Sequence, residues 1–371
     1  MKRYRVAQVG CGARGEVHAK GFTENPSRFE IVGLCDLDQS RLAKVGDAYG
    51  VKNCYTDMLR MLDETKPDVF CFVTQPHVRL AMAEAAARYK VKGLAFEKPM
   101  ATSLKEARAI RDLCAAHGIK AVVSHQQKYL DSMQKMKSIM DAGEIGEIQT
   151  IHVKAVSWYA QLGTHLIDYA LWMGGGAKAK WVVGHLNGRH KLTDSHPSTD
   201  YLMGQFGLET GVRVFFESGY LAPQQKMNGD TVGDVFWCNN RLTAYGTHGY
   251  AWSETNGRWG AFTRNSNGEV IGGEFDKWAV AQRRLQTLYL KEFADWLDDD
   301  GAVHSCNVEM AYHGYEIVEG MCYSALDKRR VDLPFAELPS EDVIERAKRE
   351  VPDSPGSQGF DAKTKTWAFA V

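Results

Sequence analysis

The first third of the chain alternates short apolar runs with amphipathic stretches. The apolar runs cover residues 4–9, 30–35, 69–73, 93–96 and 120–123. Amphipathic stretches lie between them, and in the last of these, at 103–117, the apolar residues recur on one helix face. Strands that are apolar throughout and separated by helices indicate a parallel sheet covered on both sides. The pattern predicts an α/β domain with a doubly wound parallel sheet over residues 1–124.

The pattern changes after about residue 146. The β-like segments that follow, several of them alternating apolar with polar residues, lie at 148–157, 181–187, 201–208, 211–219 and 241–246. Glu209-Thr210-Gly211 has the composition of a tight turn that joins two of them into a hairpin. Long helical patterns are few here. We therefore predict an α+β domain with a large, mostly antiparallel, open-faced sheet over residues 125–335, and a C-terminal helix and tail over 336–371.

The composition of the chain argues against several classes of binding partner. The 371 residues include 45 Lys and Arg against 46 Asp and Glu, a net charge of −1, which leaves no surplus for binding nucleic acid or an anionic membrane. No apolar run approaches the roughly 20 residues that cross a bilayer, and the first residues do not resemble a secretory signal. The 8 cysteines are scattered without a C-x-x-C pair, so we expect reduced thiols, no metal site and a cytoplasmic protein.

A glycine-rich turn follows the first apolar run. In the pattern G-x-G-x-x-G, the first glycine allows a tight turn, the second lets backbone N–H groups approach a pyrophosphate, and the third lets the next helix pack on the sheet. An acid follows the second run, where a carboxylate accepts hydrogen bonds from both ribose hydroxyls and repels a 2′-phosphate. The sequence therefore predicts binding of NAD at Gly10, Cys11, Gly12, Ala13, Arg14, Gly15 and Asp36.

Two further motifs contain candidate catalytic groups. Glu97-Lys98-Pro99 follows the fourth apolar run, at the carboxyl edge of the predicted sheet, where ligands of doubly wound folds gather. In the second half, Gly163-Thr164-His165-Leu166-Ile167-Asp168 opens a helix that places His165 and Asp168 on one face. Taken alone, these residues leave a surface-loop lysine and a partly buried helix histidine as alternatives.

These motifs, in this order, resemble the Gfo/Idh/MocA family of dehydrogenases, named for glucose–fructose oxidoreductase, inositol dehydrogenase and a rhizopine-catabolism protein. The resemblance runs from Val6 to about Pro334 and includes two further segments, Gly143-Glu144-Ile145-Gly146-Glu147-Ile148 and Tyr245-Gly246-Thr247-His248-Gly249. It implies a Rossmann domain, NAD as cofactor, and hydride transfer between nicotinamide and a hydroxyl carbon of a sugar, glycoside or cyclitol.

The resemblance also implies residue roles. His165 would be the base that accepts the hydroxyl proton, and Lys98 would hold the substrate oxygen and stabilise its developing charge. Asp168 would orient His165 or bind a substrate hydroxyl. The positions that flank the cofactor would be Thr74, Pro76, Glu97 and Lys98.

The chain departs from the family pattern next to His165. Where the pattern Asp-x-Gly-x-His-x-x-Asp begins with an acid, this chain has Gln161, which cannot take up a proton, so acid–base work falls to His165 or Lys98. The segment before it is shorter than in many relatives and carries two aromatic residues, which either stack on a sugar or belong to the core. We expect substrate contacts from Gln161, Trp158, Tyr159 and the linker residue Tyr129, and a contact of Gln126 with nicotinamide.

Three functions remain open at this point. The first is an NAD-dependent dehydrogenase acting on a sugar or polyol. The second retains NAD through each cycle and cleaves a glycoside, or epimerises a sugar, by transient oxidation of a ring hydroxyl, elimination or addition, and re-reduction. The third is a non-catalytic NAD-sensing regulator, against which the intact Lys98 and His165 argue. Because one face of the second sheet needs cover, and by the resemblance, we expect a homodimer or homotetramer.

Overall fold

The computed structural model describes residues 2–194, 196–223 and 238–353, and the backbone of 360–361 and 366–367. The chain divides into two compact units. The first unit consists of Met1–Tyr129 and Gln282–Tyr312, and the second consists of Leu130–Ala281 and His313–Val371. Within the described residues, no helix is both long enough and apolar enough to span a membrane.

The first unit is built on a parallel sheet. Its strands are β1 Tyr4–Val9, β2 Phe29–Cys35, β3 Cys54–Tyr55, β4 Val69–Phe72, β5 Gly93–Phe96 and β6 Lys120–Val123. They lie in the order β3-β2-β1-β4-β5-β6, and every neighbouring pair is parallel. The predicted doubly wound sheet is confirmed. Its strand order reverses between β1 and β4, the point at which such sheets open a crevice at their carboxyl ends.

Five helices connect these strands. They are α1 Ala13–Thr23, α2 Gln39–Tyr49, α3 Met58–Thr65, α4 Arg79–Arg88 and α5 Leu104–His117. The sequence sets several of their ends through side-chain caps. Asp38 and Asp57 accept hydrogen bonds from the first backbone N–H groups of α2 and α3, and Ser103 does so for α5. The predicted amphipathic helix at 103–117 is α5 with its cap.

The second unit is built on a larger sheet. The strands are β7 Ile148–Ala155, β8 Ala179–Asn187, β9 Tyr201–Leu208, β10 Arg213–Gly219, β11 Asn240–Gly246, β12 Gly249–Ser253, β13 Arg258–Phe262, β14 Ile271–Glu274 and β15 Val331–Asp332, with a separate pair β16 Phe360–Asp361 and β17 Thr366–Trp367. The remaining helices are α6 Asp131–Asp141, α7 Thr164–Met173, α8 Trp278–Asp298, α9 Val308–Asp327 and α10 Val343–Glu350.

The nine strands β7 to β15 form a mostly antiparallel sheet, as predicted. Their order is β14-β13-β12-β11-β7-β10-β9-β8-β15, and only the pair β7–β10 is parallel. The predicted hairpin joins β9 to β10, with Gly211 at φ +91° in its turn. The sequence analysis missed β12, β13 and β14, whose frequent glycines and polar residues mask the strand pattern. Within the predicted C-terminal helix and tail over 336–371, the structure has the helix α10, and residues 354–359, 362–365 and 368–371 lie outside the described residues.

One face of this sheet is covered by helices. The carbonyl of Met321 on α9 lies so close to Gly184 of β8 that a Cβ atom there would be 2.0 Å from the oxygen. Only glycine permits this approach of helix to sheet. The other face carries large apolar side chains that remain exposed at Val183, Met203, Phe215 and Tyr245.

The first unit includes a segment from late in the chain. The part of α8 beyond Gln282 carries Leu290, Phe293 and Ala294, which pack with Phe22 and Phe29 in the core of this unit. The sequence analysis expected the second domain to run without interruption from 125 to 335. It could not show that 282–312 belongs to the first unit, because an amphipathic helix does not specify which sheet it packs on.

The aromatic ring of Phe293 lies where β5 has Gly93, so close that a Cβ on Gly93 would be 2.7 Å from the ring. Substitution Phe293→Ala removes a side chain with no exposed surface and leaves a cavity. We expect it to lower the free energy of unfolding of this unit by about 3–5 kcal/mol. Leu288→Ala, on the same helix but 38% exposed, is the matched control and should cost less than about 1 kcal/mol. Urea unfolding measures both, and equal losses would contradict the packing described.

Candidate active site

The candidate site in the first unit lies where β1, β4 and β5 end. The glycine turn follows β1, Thr74 follows β4, and Lys98 follows β5. Because the strands are parallel, their carboxyl ends meet at one edge of the sheet. The strand order reverses between β1 and β4 at this same edge.

Each glycine of the turn has a distinct steric reason. Gly10 has φ +95°, and a Cβ there would lie 2.3 Å from the carbonyl oxygen of Val73. A Cβ on Gly15 would lie 2.0 Å from the oxygen of Gly10, whereas a Cβ on Gly12 would meet no atom of the other described residues, its chain neighbours aside, within 4 Å. The first and third glycines are thus required by the protein's own backbone. The second leaves open space in front of the turn.

The buried side chain of Gln8 holds this turn from behind. Its amide nitrogen donates to the carbonyl oxygens of Gly10 and Gly15, both at 2.9 Å. The sequence analysis missed Gln8. The signal was available, since it is a polar residue inside an otherwise apolar strand.

The N-terminus of α1 and the end of β2 fit a dinucleotide. Gly12 is the N-cap residue of α1, and no side chain caps this end. Its N–H groups and the helix dipole therefore favour a phosphate there. Asp36 accepts from the backbone N–H of Cys11 at 2.6 Å through Oδ2 and from that of Asp38 at 2.9 Å through Oδ1. A carboxylate has about four acceptor positions, so Asp36 retains capacity for ribose hydroxyls.

Glu97 is buried, and side chains of α1 donate hydrogen bonds to its carboxylate. It accepts hydrogen bonds from Arg14 at 2.8 and 3.1 Å and from Nε2 of His18 at 3.0 Å. Burial alone would raise the pKa of Glu97, but the charges of Arg14, His18 and Lys98 hold it well below its usual range. The sequence analysis missed His18, which lies one turn beyond Arg14 on α1. The role of Glu97 as a cofactor contact stays a prediction.

Lys98 is half-buried beside these charges. Burial lowers the pKa of Lys98 to about 8, and the charges of Arg14 and Arg79 act in the same direction, against the negative charge of Glu97. Such a lysine can exchange a proton near neutral pH. The sequence analysis did not consider Arg79, because a basic residue at the start of an amphipathic helix is ordinarily exposed.

The segment after β4 is held by a hydrogen bond to its backbone and by a buried proline. The carbonyl of Thr74 accepts a hydrogen bond from Arg79 at 2.5 Å, and its hydroxyl lies 3.6 Å from the sulfur of Met82. Pro76 is buried and opens a short 3₁₀ turn, Pro76–Val78. Both predicted cofactor residues therefore lie at the same sheet edge as the glycine turn.

Gln126 and Tyr129 lie on the 3₁₀ turn Gln126–Tyr129. With its amide oxygen facing the guanidinium, Gln126 accepts from Arg14 at 2.9 Å. The hydroxyl of Tyr129 donates to Glu292 and lies 3.4 Å from Ser305 Oγ. Tyr129 is thus engaged with the segment 282–312, and its predicted substrate contact stays a prediction.

In the second unit, α7 carries the other candidate groups. His165 and Asp168 are both buried. Nδ1 of His165 lies 2.8 Å from the hydroxyl of Tyr169, one turn further along the helix, which fixes the orientation of the imidazole. Tyr169 was missed, although its spacing of four residues from His165 on a helix was a usable signal.

The segment before α7 contains a π-helical turn, Tyr159–Gly163. Trp158 is buried with Val156, Tyr201 and Tyr220, and the ammonium of Lys191 lies 4.4 Å from the centre of its ring. Trp158 thus packs in a buried cluster, which is the arrangement expected of a core residue.

The neighbouring Tyr159 is also buried, and its hydroxyl accepts from the backbone N–H of Thr199 at 3.2 Å. Gln161 is half-buried on the same turn. Sugar contacts from Trp158, Tyr159 and Gln161 stay predictions. So does the expected convergence of Lys98 with His165, since the structure places each of them in its own unit.

Two family models match the chain. Residues 4–125 match the oxidoreductase family with an NAD-binding Rossmann fold. Residues 133–252 match the GFO/IDH/MocA C-terminal domain. Together they span both the parallel sheet and most of the larger sheet.

A D-apiose dehydrogenase of Paraburkholderia graminis is 30% identical over 148 residues, which are 39% of this chain and 38% of that protein. The chain thus spans less than half the length of the curated relatives first matched, 38% and 42%.

Solved structures cover more of the chain. An oxidoreductase from Agrobacterium radiobacter, in complex with NAD⁺, L-tartaric acid and magnesium, has a TM-score of 0.73 at 20% identity and covers 89% of this chain and 98% of its own. Levoglucosan dehydrogenase with NADH and L-sorbose has a TM-score of 0.74 at 17% identity and covers 90% and 100%. At these identities the likeness shows the fold. With the two family models, it shows that the chain belongs to the Gfo/Idh/MocA family of oxidoreductases, which have an NAD-binding Rossmann domain.

Proposed function

We propose that the protein is an NAD-dependent oxidoreductase that acts on a hydroxyl carbon of a sugar, glycoside or cyclitol. The observation that carries the proposal is Lys98, a lysine with a pKa of about 8 at the carboxyl edge of a sheet whose glycine turn fits a dinucleotide. The carbohydrate class is supported by relatives whose names refer to apiose and levoglucosan.

In the proposed reaction, bound NAD supplies the acceptor for the hydride that leaves the alcohol carbon. Lys98 holds the substrate oxygen and stabilises its developing negative charge, which is worth more in a water-poor site than in water. His165 accepts the hydroxyl proton, and the hydrogen bond to Tyr169 keeps its ring in one orientation. Asp168, one turn from His165, orients it or binds a second hydroxyl. Gln161, Tyr129, Trp158 and Tyr159 remain the proposed further substrate contacts.

The pyrophosphate of NAD is proposed to lie over Gly12, against the N-terminus of α1. Asp36 is proposed to bind the ribose hydroxyls. A 2′-phosphate at this position would face the carboxylate of Asp36, so charge repulsion favours NAD over NADP.

We expect Lys98→Ala to lower kcat/KM by about 10²- to 10⁴-fold while the dissociation constant of NAD changes little, because the lysine acts on the substrate oxygen. The wild-type enzyme should lose activity above about pH 8, as the Lys98 ammonium loses its proton. Absorbance at 340 nm across a panel of polyols and sugars measures both.

Lys92→Ala is the matched control, since Lys92 lies before β5, is exposed and pairs with Asp68. It should leave the rate unchanged. A fully active Lys98→Ala protein would refute the assignment. Release of aglycone from aryl glycosides without net NADH would instead support the redox-neutral reaction.

We expect Asp36→Ser to weaken NAD binding by about 10- to 100-fold, because hydrogen bonds to a charged acceptor are lost, and to weaken NADP binding much less. Asp36→Asn is the matched control, because it keeps an acceptor oxygen and removes only the charge. Calorimetric titration with both dinucleotides gives the constants. An unchanged ratio of NAD to NADP affinity in both variants would show that Asp36 does not select the cofactor.

We infer that a second copy of the chain covers the open face of the larger sheet. Met203 and Phe215 on this face are 45% and 37% exposed. They border a depression of about 500 Å³ that also contains Lys154, Glu217 and Arg241. A face with apolar centres and charges of both signs can pair with a second copy of itself about a two-fold axis, which fits a homodimer or a homotetramer.

Light scattering should therefore give a mass that is two or four times 41.4 kDa. Phe215→Asp should lower it towards the monomer, since a carboxylate cannot be buried there without a partner. Val303→Asp, at a site 58% exposed in the first unit, is the control and should leave the mass unchanged. A monomeric wild-type protein would contradict the inference.

A cytoplasmic location is proposed from the thiols. The eight cysteines, all among the described residues, form no disulfide bond, and seven of them are buried. Free buried thiols in a protein of this size are typical of a reducing compartment.

A further inference from the structure

Arg79 is a buried cation that joins two strand-end segments of the first unit. It is 2% exposed and lies at the first position of α4. One end of its guanidinium donates to the carbonyl of Pro99, directly after Lys98, and the other donates to the carbonyl of Thr74 at 2.5 Å. The segment after β4 and the segment after β5 are therefore tied to a single side chain.

The positive charge of Arg79 is not neutralised by a salt bridge. Its hydrogen-bond partners are backbone carbonyls, and among the described residues no carboxylate lies within ion-pair distance of it. Its Nε is buried and has no hydrogen-bond partner in the described part of the chain. Burying a guanidinium in this way costs free energy, which a purely structural clamp could avoid with a neutral donor.

The charged groups around Lys98 come from three elements. Glu97 precedes it after β5, Arg14 and His18 extend from α1, and Arg79 extends from α4. The carboxylate of Glu97 is already hydrogen-bonded to Arg14 and His18. Burial lowers the pKa of His18, against the hydrogen bond and the negative charge of Glu97, which raise it. Among the described residues Arg79 forms no ion pair, and the negative charge of Glu97 acts on it only through space.

We propose that Arg79 is a positioning residue for Lys98, whose guanidinium fixes the backbone on either side of the candidate site and whose unpaired charge repels the Lys98 ammonium. The pKa values agree with this arrangement, since that of Lys98 is lowered to about 8 and that of Arg79, by burial, to about 10. The two effects of Arg79, positioning of the backbone and repulsion of the ammonium, can be tested separately. A lysine at position 79 keeps the charge but cannot donate to two carbonyls in the same way.

The role in catalysis rests on the proposed function, in which Lys98 contacts the reacting oxygen. The pKa of Lys98 does not depend on the proposed function, and it can be measured in the protein without NAD or substrate. Competitive acetylation with trace acetic anhydride, followed by mass spectrometry of the peptide that contains Lys98, gives the pKa of this amine from the dependence of labelling on pH.

In Arg79→Met and Arg79→Gln, we expect the pKa of Lys98 to rise from about 8 by part of its distance to the usual value of 10.5, because a nearby like charge is removed. In Arg79→Lys it should stay near the wild-type value. Arg28→Met is the matched control, since Arg28 is equally buried in the same unit but is paired with Asp295 and Asp298. This variant should lose stability without moving the pKa of Lys98. Circular dichroism identifies which variants are folded. Two neutral variants are compared, so that the test can be made even when one of them does not fold.

The enzymatic assay measures the pH above which activity is lost. This pH should shift upward by the same amount in the two neutral variants and stay in place in Arg79→Lys, where kcat falls instead. An unchanged Lys98 pKa in a folded neutral variant, or an equal shift in Arg28→Met, overturns the proposal. If Lys98 shifts as expected but no sugar or polyol is oxidised by any form of the protein, the proposed function fails and the electrostatic role of Arg79 stands.

Discussion

The hydrogen bonds from Arg14 and His18 to the buried carboxylate of Glu97 are the interaction on which the first unit's site depends. Burial by itself raises the pKa of Glu97, and these charged partners hold that pKa well below its usual range. They connect the helix behind the glycine turn to the end of β5, where the next residue is Lys98. The helix after the glycine turn and the segment that carries Lys98 are therefore joined by one group of charged side chains.

Backbone contacts complete this arrangement. The glycine turn passes so close to Val73 that position 10 has no room for a side chain, and Gln8 holds the turn from within the sheet. Arg79 does the same for the segments after β4 and β5. Each loop of the site is thus fixed by a buried polar side chain, which agrees with the general rule that precise sites are built on rigid elements with a supporting shell.

The second unit follows a different principle. Its large sheet buries one face under helices through glycine contacts such as Gly184 with Met321, and it leaves the other face partly apolar. His165 belongs to a helix whose side chains are buried on nearly every side, and its orientation is fixed locally by Tyr169. Family models match the chain over residues 4–125 and 133–252, that is, in both units.

The sequence by itself determined the doubly wound sheet, the glycine turn, Asp36, the Lys98 motif and the predominantly antiparallel second sheet, because periodicity, glycine spacing and strand-end position are local properties of the chain. It did not reveal that residues 282–312 complete the first unit, nor the buried partners Gln8, His18 and Arg79. Those depend on which side chains meet across distant segments. Burial and pairing of a charge are properties of the folded surroundings, so only the tertiary structure could show that an arginine at the start of a surface-like helix lies in the interior beside Lys98.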